Sequence, residues 1–292
     1  MASWQMRGVA AFTRLAYRRR FLSEEAGHRT LHRAKGPSTP PSGLAKRFRL
    51  SVDRAHGFDV HRLQAGAKPS ETVVVYLHGG AYTSEIVPQH WSLIADIATR
   101  TGCDVYVPIY GLAPAHHGLQ ALEFVTAVVT SLTASGRRCY LAGDSAGGGL
   151  ALLTAQATGP TGIAGLTVLA PWLDLSMANP GVDAIQPFDP WLSRPGLRPI
   201  AAAWAGGLEL TDPRVSPLYG DLTDLPPLQI LVGTRDITLA DCRTLRDRLP
   251  LTSALTYHEE PGAIHVYPLL PVPESRAGRD AIVSHIRSCV DY

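Results

Sequence analysis

The segment Gly143-Asp144-Ser145-Ala146-Gly147 places a serine between an apolar run that ends at Ala142 and a helix-forming run that begins at Ala146. A sharp strand-to-helix turn of this composition lifts a hydroxyl clear of the sheet, and the flanking glycines let backbone approach where a Cβ would collide. The helix that follows aims its first N–H groups at any negative charge forming there. Acyl transfer is the chemistry such a hydroxyl serves. Because serine is a weak nucleophile by itself, it needs a base, and the base needs an orienting carboxylate, in the chain order serine, acid, histidine.

Asp236, just past the apolar run Leu228 to Val232, is the candidate acid, with Asp241 as its main rival and Asp174 as another. His265, in the loop Pro261-Gly262-Ala263-Ile264-His265 before the last helix, is the candidate base. His258, His116 and His117 compete with it. Upstream, His78-Gly79-Gly80-Ala81 follows the strand Val73 to Leu77, so flexible backbone lies at a strand's carboxyl end, where open α/β sheets bind ligands. Glycine N–H groups there can reach a developing oxyanion unobstructed, which assigns Gly79 and Gly80, with Ala146, to an oxyanion hole. His78 then braces the loop and carries no proton.

These loops need a frame, and the chain supplies alternating strands and helices. Candidate strands are Phe48 to Val52, Phe58 to Leu63, Val73 to Leu77, Val105 to Ile109, Cys139 to Ala142, Leu166 to Leu169, Leu228 to Val232 and Ala254 to His258. Helices are expected over Trp91 to Thr101, Leu119 to Thr133, Ala146 to Ala157, Thr238 to Leu249 and Ser275 to Val290. Such alternation implies right-handed crossovers and an α/β fold with a mostly parallel central sheet, covered by helices on both faces. Between Asp174 and Leu225 the rhythm fails amid seven prolines, which marks an insertion over the sheet edge. Its Phe188, Trp191 and Trp204 suggest apolar contacts, although aromatic residues beside prolines more often pack than line a pocket.

The length of 292 residues, with 45% hydrophobic and 18% charged residues, is that of an ordinary globular chain. Disordered, collagen-like and disulfide-stapled classes are excluded. No apolar run reaches the roughly 18 residues that cross a bilayer. Cys103, Cys139, Cys242 and Cys289 lack zinc or disulfide spacing and read as reduced thiols, in keeping with a cytoplasmic location. Charge is uneven: residues 1–50 hold 11 of the 27 Lys and Arg but only Glu24 and Glu25 as acids. Trp4, Phe12, Leu15 and Leu22 recur there at loose helical spacing, so an amphipathic helix from Trp4 to Leu22 is expected, broken by the prolines of Gly36 to Gly43. This basic segment can contact a membrane surface or form a solvated face. Arg18 and Arg19 do not make an export signal, because Glu24, Glu25 and His28 stand where its apolar core belongs.

From Val73 onward the chain resembles the hormone-sensitive-lipase-like family of α/β-hydrolases, also called bacterial family IV carboxylesterases. The resemblance rests on His78-Gly79-Gly80, Tyr110-Gly111-Leu112-Ala113-Pro114, Gly143-Asp144-Ser145-Ala146-Gly147-Gly148, Asp236 and His265, in that family's order. It implies an α/β-hydrolase fold with a helical cap, and ester hydrolysis by Ser145, His265 and Asp236 with no metal or organic cofactor. The cap would comprise residues 1–45 and the insertion 174–225, and the core 46–173 and 226–292. Ala81 departs from the family's usual third glycine, a departure that costs about 1–2 kcal/mol if the residue needs positive φ. Gly111 departs where the family often has arginine.

The expectation is a serine carboxylesterase acting on short or medium acyl esters through an acyl-enzyme, with a small-molecule ester as partner and no nucleic acid. A lactone hydrolase and a non-catalytic small-molecule receptor on the same fold are the alternatives. The oligomeric state is not legible.

Overall fold

A computed structural model describes residues 2–290. Eight strands form one sheet: β1 (Arg49–Ala55), β2 (Phe58–Gln64), β3 (Thr72–Leu77), β4 (Asp104–Pro108), β5 (Arg138–Asp144), β6 (Ile163–Leu169), β7 (Leu228–Gly233) and β8 (Leu255–Glu260). Their spatial order is β1-β2-β4-β3-β5-β6-β7-β8, antiparallel at β1–β2 and β2–β4 and parallel from β4 to β8. β3 and β6 are buried along their whole length, as expected of β-branched runs sandwiched between helix layers. β1 instead lies at the edge and is mostly exposed, which fits its alternating charges.

The crossover helices are α3 (Pro88–Thr101), α4 (Gly118–Ala134), α5 (Ser145–Thr158) and α8 (Leu239–Arg248); α9 (Pro273–Val290) follows the last strand, and α1, α2, α6 and α7 stand outside that rhythm. α3 packs with α9, while α4 packs with α5, and each pair lies against the sheet. Successive connections leave in opposite directions from β3 and β5, so the strand order reverses between them. Such a switch point opens a crevice at the carboxyl ends of the strands. Leu77 at the end of β3 is paired with Gly143 of β5, which brings the two glycine-bearing segments side by side.

The front of the chain departs from expectation. α1 (Trp4–Ala16) stops short of Leu22, a single 3₁₀ turn follows at Arg18–Arg20, and a separate α2 (Glu24–Leu31) succeeds it. Ser3 and Ser23 cap the two helices by accepting from the N–H groups of Met6 and Ala26. The face of α1 that is buried carries Met6, Ala10 and Thr13, whereas Trp4, Phe12 and Leu15 point outward, as does Leu22 beyond it. Met6 anchors that face in the body beside the smaller Ala10 and Thr13, and the aromatic side chains of the helix are left on the outside.

Within residues 174–225 stand α6 (Gly181–Ile185) and α7 (Arg194–Ala205). α2 packs on α7 at a glycine contact: a Cβ on Gly27 would lie 2.2 Å from the Gly196 carbonyl oxygen. The Gly196 N–H donates to the Phe21 carbonyl at 2.9 Å. The two segments expected to form a cap are thereby joined through backbone. All four cysteines are buried, and no disulfide links them. Among the described residues, no helix is long and apolar enough to cross a membrane.

Candidate active site

Ser145 opens α5 directly at the end of β5, with φ at +52°, a left-handed conformation that costs an L-residue about 1–2 kcal/mol. Tight backbone packing holds it there. A Cβ on Gly147 would lie 2.1 Å from the Leu77 carbonyl oxygen, and one on Gly143 would lie 2.4 Å from that of Gly147. The Trp172 N–H donates to the Ser145 carbonyl at 2.9 Å and closes the turn from the side of β6. The serine hydroxyl is therefore positioned by contacts that only glycine neighbours permit.

Two loops bring the other candidates to it. Gly262 N–H donates to Thr234 Oγ1 at 2.7 Å and Arg235 N–H to the Ala263 carbonyl at 3.0 Å, which ties the loop after β7 to the loop after β8. His265 Nδ1 lies 2.7 Å from Asp236 Oδ2, and His265 Nε2 lies 2.8 Å from Ser145 Oγ. With the proton on Nδ1, the ring donates to the carboxylate and accepts from the hydroxyl. All three residues are buried. Burial opposes charging the imidazole, but Asp236, with Asp189 and Asp144 behind it, offsets this, and the His265 pKa is raised from its ordinary value.

The rival residues lie elsewhere. Asp241, on α8, accepts from Asn179 at 2.9 Å, and burial raises its pKa to about 7. Asp174 accepts from the Ser176 N–H and hydroxyl just after β6. His258 is exposed on β8, His116 meets the Phe58 ring, and His117 caps α4. His78 is fully buried and stacked 4.6 Å from the Tyr110 ring, and its Nδ1–H donates to the Gly79 carbonyl at 2.7 Å. Burial lowers its pKa to about 4, so it is neutral near pH 7 and braces the loop.

The assignment of Gly79 to the oxyanion hole requires correction. Its N–H donates to Asp144 Oδ1 at 3.0 Å and is committed there. Asp144 also accepts from Tyr76 Oη at 2.8 Å and meets His90 Nε2 at 3.2 Å. Burial alone would raise the Asp144 pKa, but His90, Tyr76 and His78 bring it below its ordinary value. Among the described residues, the N–H groups of Gly80, Ala81 and Ala146 have no hydrogen-bond partner. Ala81 has φ at +51°, so the strain foreseen for an alanine in place of the usual glycine is present.

Asp189 is a further buried carboxylate that sequence reading did not single out. Its Oδ1 accepts from the N–H groups of Trp191 at 2.7 Å and Leu192 at 2.9 Å, and its Oδ2 from Ile237 N–H at 3.0 Å. It thus links the insertion to the residue after Asp236. Burial, with Asp236 next, raises its pKa to about 6. The insertion's aromatics divide in role: Trp191 sets its ring edge-on to His265 at 5.8 Å, while Trp204 is fully buried in a stack with Tyr82 at 3.9 Å. Phe188 is exposed.

A strained serine at a strand-to-helix turn, hydrogen-bonded through histidine to a carboxylate on an open parallel sheet, defines a class. A family model of the alpha/beta hydrolase fold matches residues 74–269, and the chain belongs to that family. Within it, the likeness runs to esterases of the hormone-sensitive-lipase-like type. The chain is 36% identical over 193 residues to LipR of Mycobacterium tuberculosis, by name an acetyl-hydrolase, covering 63% of this chain and 62% of that relative's length. It is 32% identical to an acetyl-hydrolase of Streptomyces hygroscopicus, covering 70% of this chain and 72% of the other. The crystal structure of an esterase from the bacterial hormone-sensitive lipase family superposes with a TM-score of 0.82 at 27% identity, over 99% of this chain and 100% of that one.

Proposed function

We propose that this chain is a serine carboxylesterase, with Ser145 as nucleophile, His265 as general base and acid, and Asp236 as the carboxylate that orients the ring. The observation that carries the reading is the unbroken path from Asp236 Oδ2 through the imidazole to Ser145 Oγ, with both contacts below 2.9 Å. Ser145 Oγ attacks the ester carbonyl as its proton passes to His265 Nε2. The carbonyl oxygen becomes an oxyanion that collects N–H groups from Gly80, Ala81 and Ala146, which are preorganised and have no competing acceptor. Collapse of the tetrahedral intermediate breaks the bond to the leaving alcohol, which takes the proton from His265. Water then repeats the attack on the acyl-serine through the same base and releases the acid.

The substrate class we propose is short acyl esters. Tyr82, which follows Ala81, stacks with Trp172 at 5.7 Å and Trp204 at 3.9 Å, and all three rings are buried. With Trp172 also bonded through its backbone N–H to the Ser145 carbonyl, this rigid aromatic bulk on neighbouring segments disfavours long acyl chains. Residues 1–45 and 174–225 are read as the cap, which carries Trp191 to His265.

Labelling with a fluorophosphonate, followed by peptide mapping, tests the reading. An adduct on Ser145 that is absent from Ser145→Ala, together with a fall in p-nitrophenyl acetate turnover by roughly 10⁶, is expected. A binding protein without catalysis would take no label, and turnover that survives in Ser145→Ala would end the proposal.

A further inference from the structure

The outward face of α1 has no role in the chemistry above. Trp4 is 73% exposed, Phe12 61% and Leu15 77%, values unusual for large apolar side chains on one helix. At about 100° per residue, Trp4, Ala11, Phe12 and Leu15 share an arc of roughly 100°, bordered along one side by Arg7 and Arg14. Among the described residues, no carboxylate pairs with Arg7, Arg14 or Arg19, while the segment's only acids, Glu25 and Glu24, are engaged with Arg29 and Arg198. The helix is also firmly mounted: the Ser3 N–H and hydroxyl donate to Glu274 at 2.6 and 2.9 Å at the start of α9. A fixed apolar strip edged by uncompensated cations is complementary to an anionic lipid surface, whose headgroups meet the guanidinium groups while the rings enter the acyl boundary.

The same face leads to the site. The Phe12 ring meets Tyr17 at 6.0 Å, Tyr17 meets Trp191 at 5.8 Å, and Trp191 meets His265 at 5.8 Å. We propose that α1 docks this protein on anionic membranes through Trp4, Phe12 and Leu15 with Arg7 and Arg14, setting the cap side of the site against the lipid. An ester partitioned into the bilayer would then be delivered along the surface. That delivery rests on the esterase reading, but docking does not.

Sedimentation of the full chain with vesicles of phosphatidylcholine alone, and with one quarter phosphatidylglycerol, tests the proposal. Retention on the anionic vesicles is expected, weakened by salt because surface charges are screened beyond about 10 Å at 0.1 M. Arg7→Glu with Arg14→Glu should cut partitioning by more than roughly 25-fold, at about fivefold per charge removed. Trp4→Ser with Leu15→Ser should cut it about tenfold or more while leaving p-nitrophenyl acetate turnover and the size-exclusion profile unchanged. Ser145→Ala should bind the vesicles as wild type does, so loss of catalysis and loss of docking are read separately. The proposal fails if wild type stays in the supernatant or if the variants bind as well as wild type. It fails equally if Trp4→Ser with Leu15→Ser converts a dimer to monomers, which would make a second copy the occupant of this face.

Discussion

The Gly79 N–H donates to Asp144 Oδ1 at 3.0 Å, so the loop after β3 and the turn after β5 are fastened by the residue that precedes Ser145. That single bond sets the direction of the next two N–H groups, those of Gly80 and Ala81. Asp144, inside the serine motif, thereby braces the loop proposed to hold the oxyanion.

Replacing Gly79 by Ala should break this fastening, because the new Cβ would lie 2.2 Å from Asp144 Oδ2 and 2.9 Å from the Asp144 carbonyl oxygen. Relief requires the loop to move away from Ser145. The expected result is a fall in kcat of about 10²–10³, the cost of one misplaced oxyanion donor. Gly8→Ala is the contrast: nothing lies within 4 Å of its position on exposed α1, and stability should rise by about 1 kcal/mol. Urea denaturation and steady-state kinetics on the two variants would check both outcomes.

The acidic limb of kcat/KM should lie above the ordinary histidine value of about 6.5, since Asp236 raises the His265 pKa against the effect of burial. The sign follows from the base role: ester cleavage needs the neutral ring, so activity is retained above the folded-state pKa and lost as pH falls through it. Asp236→Asn removes the charge that raises this pKa and the acceptor that fixes the tautomer, so the limb should move down and kcat drop by about 10⁴. A pH–rate profile whose limb stays put in Asp236→Asn would contradict the pairing.

Strain at Ser145 should be recoverable as stability. With φ at +52°, Ser145→Gly places at this turn a residue that tolerates the left-handed region, and the folded state should gain about 1 kcal/mol as ester turnover disappears. Ala81→Gly, at φ +51°, should gain a similar amount while keeping activity, because its N–H remains in place. Thermal unfolding of the two variants beside wild type is the measurement.

How much of this was legible depended on whether a feature is local. The inner strands stood out in sequence because runs such as Val73 to Leu77 are buried on both faces and cannot be polar, whereas the exposed edge strand β1 runs on to Ala55, past the apolar stretch that marked it. The meeting of Ser145, Asp236 and His265 was legible because chain order and loop position restrict such an arrangement. α2 was not: Glu24-Glu25-Ala26-Gly27-His28 lacks an apolar stripe, although Ser23 followed by two acids is a helix-start signal. The outward turn of Trp4, Phe12 and Leu15 was equally hidden, since periodicity marks an apolar face without saying which face meets the body. The commitment of Gly79 and the tie from Asp189 to Ile237 depend on residues 65 and 48 positions away, and no spacing rule encodes such contacts.

Asp189 offers the sharpest test of how the insertion supports the site. Its two oxygens accept three backbone N–H groups, from Trp191, Leu192 and Ile237, which an asparagine cannot reproduce because its amide nitrogen donates. In Asp189→Asn one side must face a donor, and leaving Ile237 N–H unpaired costs about 1–3 kcal/mol. The wild-type carboxyl carries its own penalty. With its pKa raised to about 6 by burial and by Asp236, it binds a proton in the folded chain that the unfolded chain has already released, so wild-type stability falls as pH rises from about 4 through 6. Asparagine has no such term, and the variant's deficit should therefore be smaller at pH 8 than at pH 5 in urea denaturation. Asp189 also helps to raise the His265 pKa, so the acidic limb should shift down in the variant as well. A deficit that widens with pH would mean that Asp189 is charged and well paired in the folded chain, and its place beside Asp236 would then need another account.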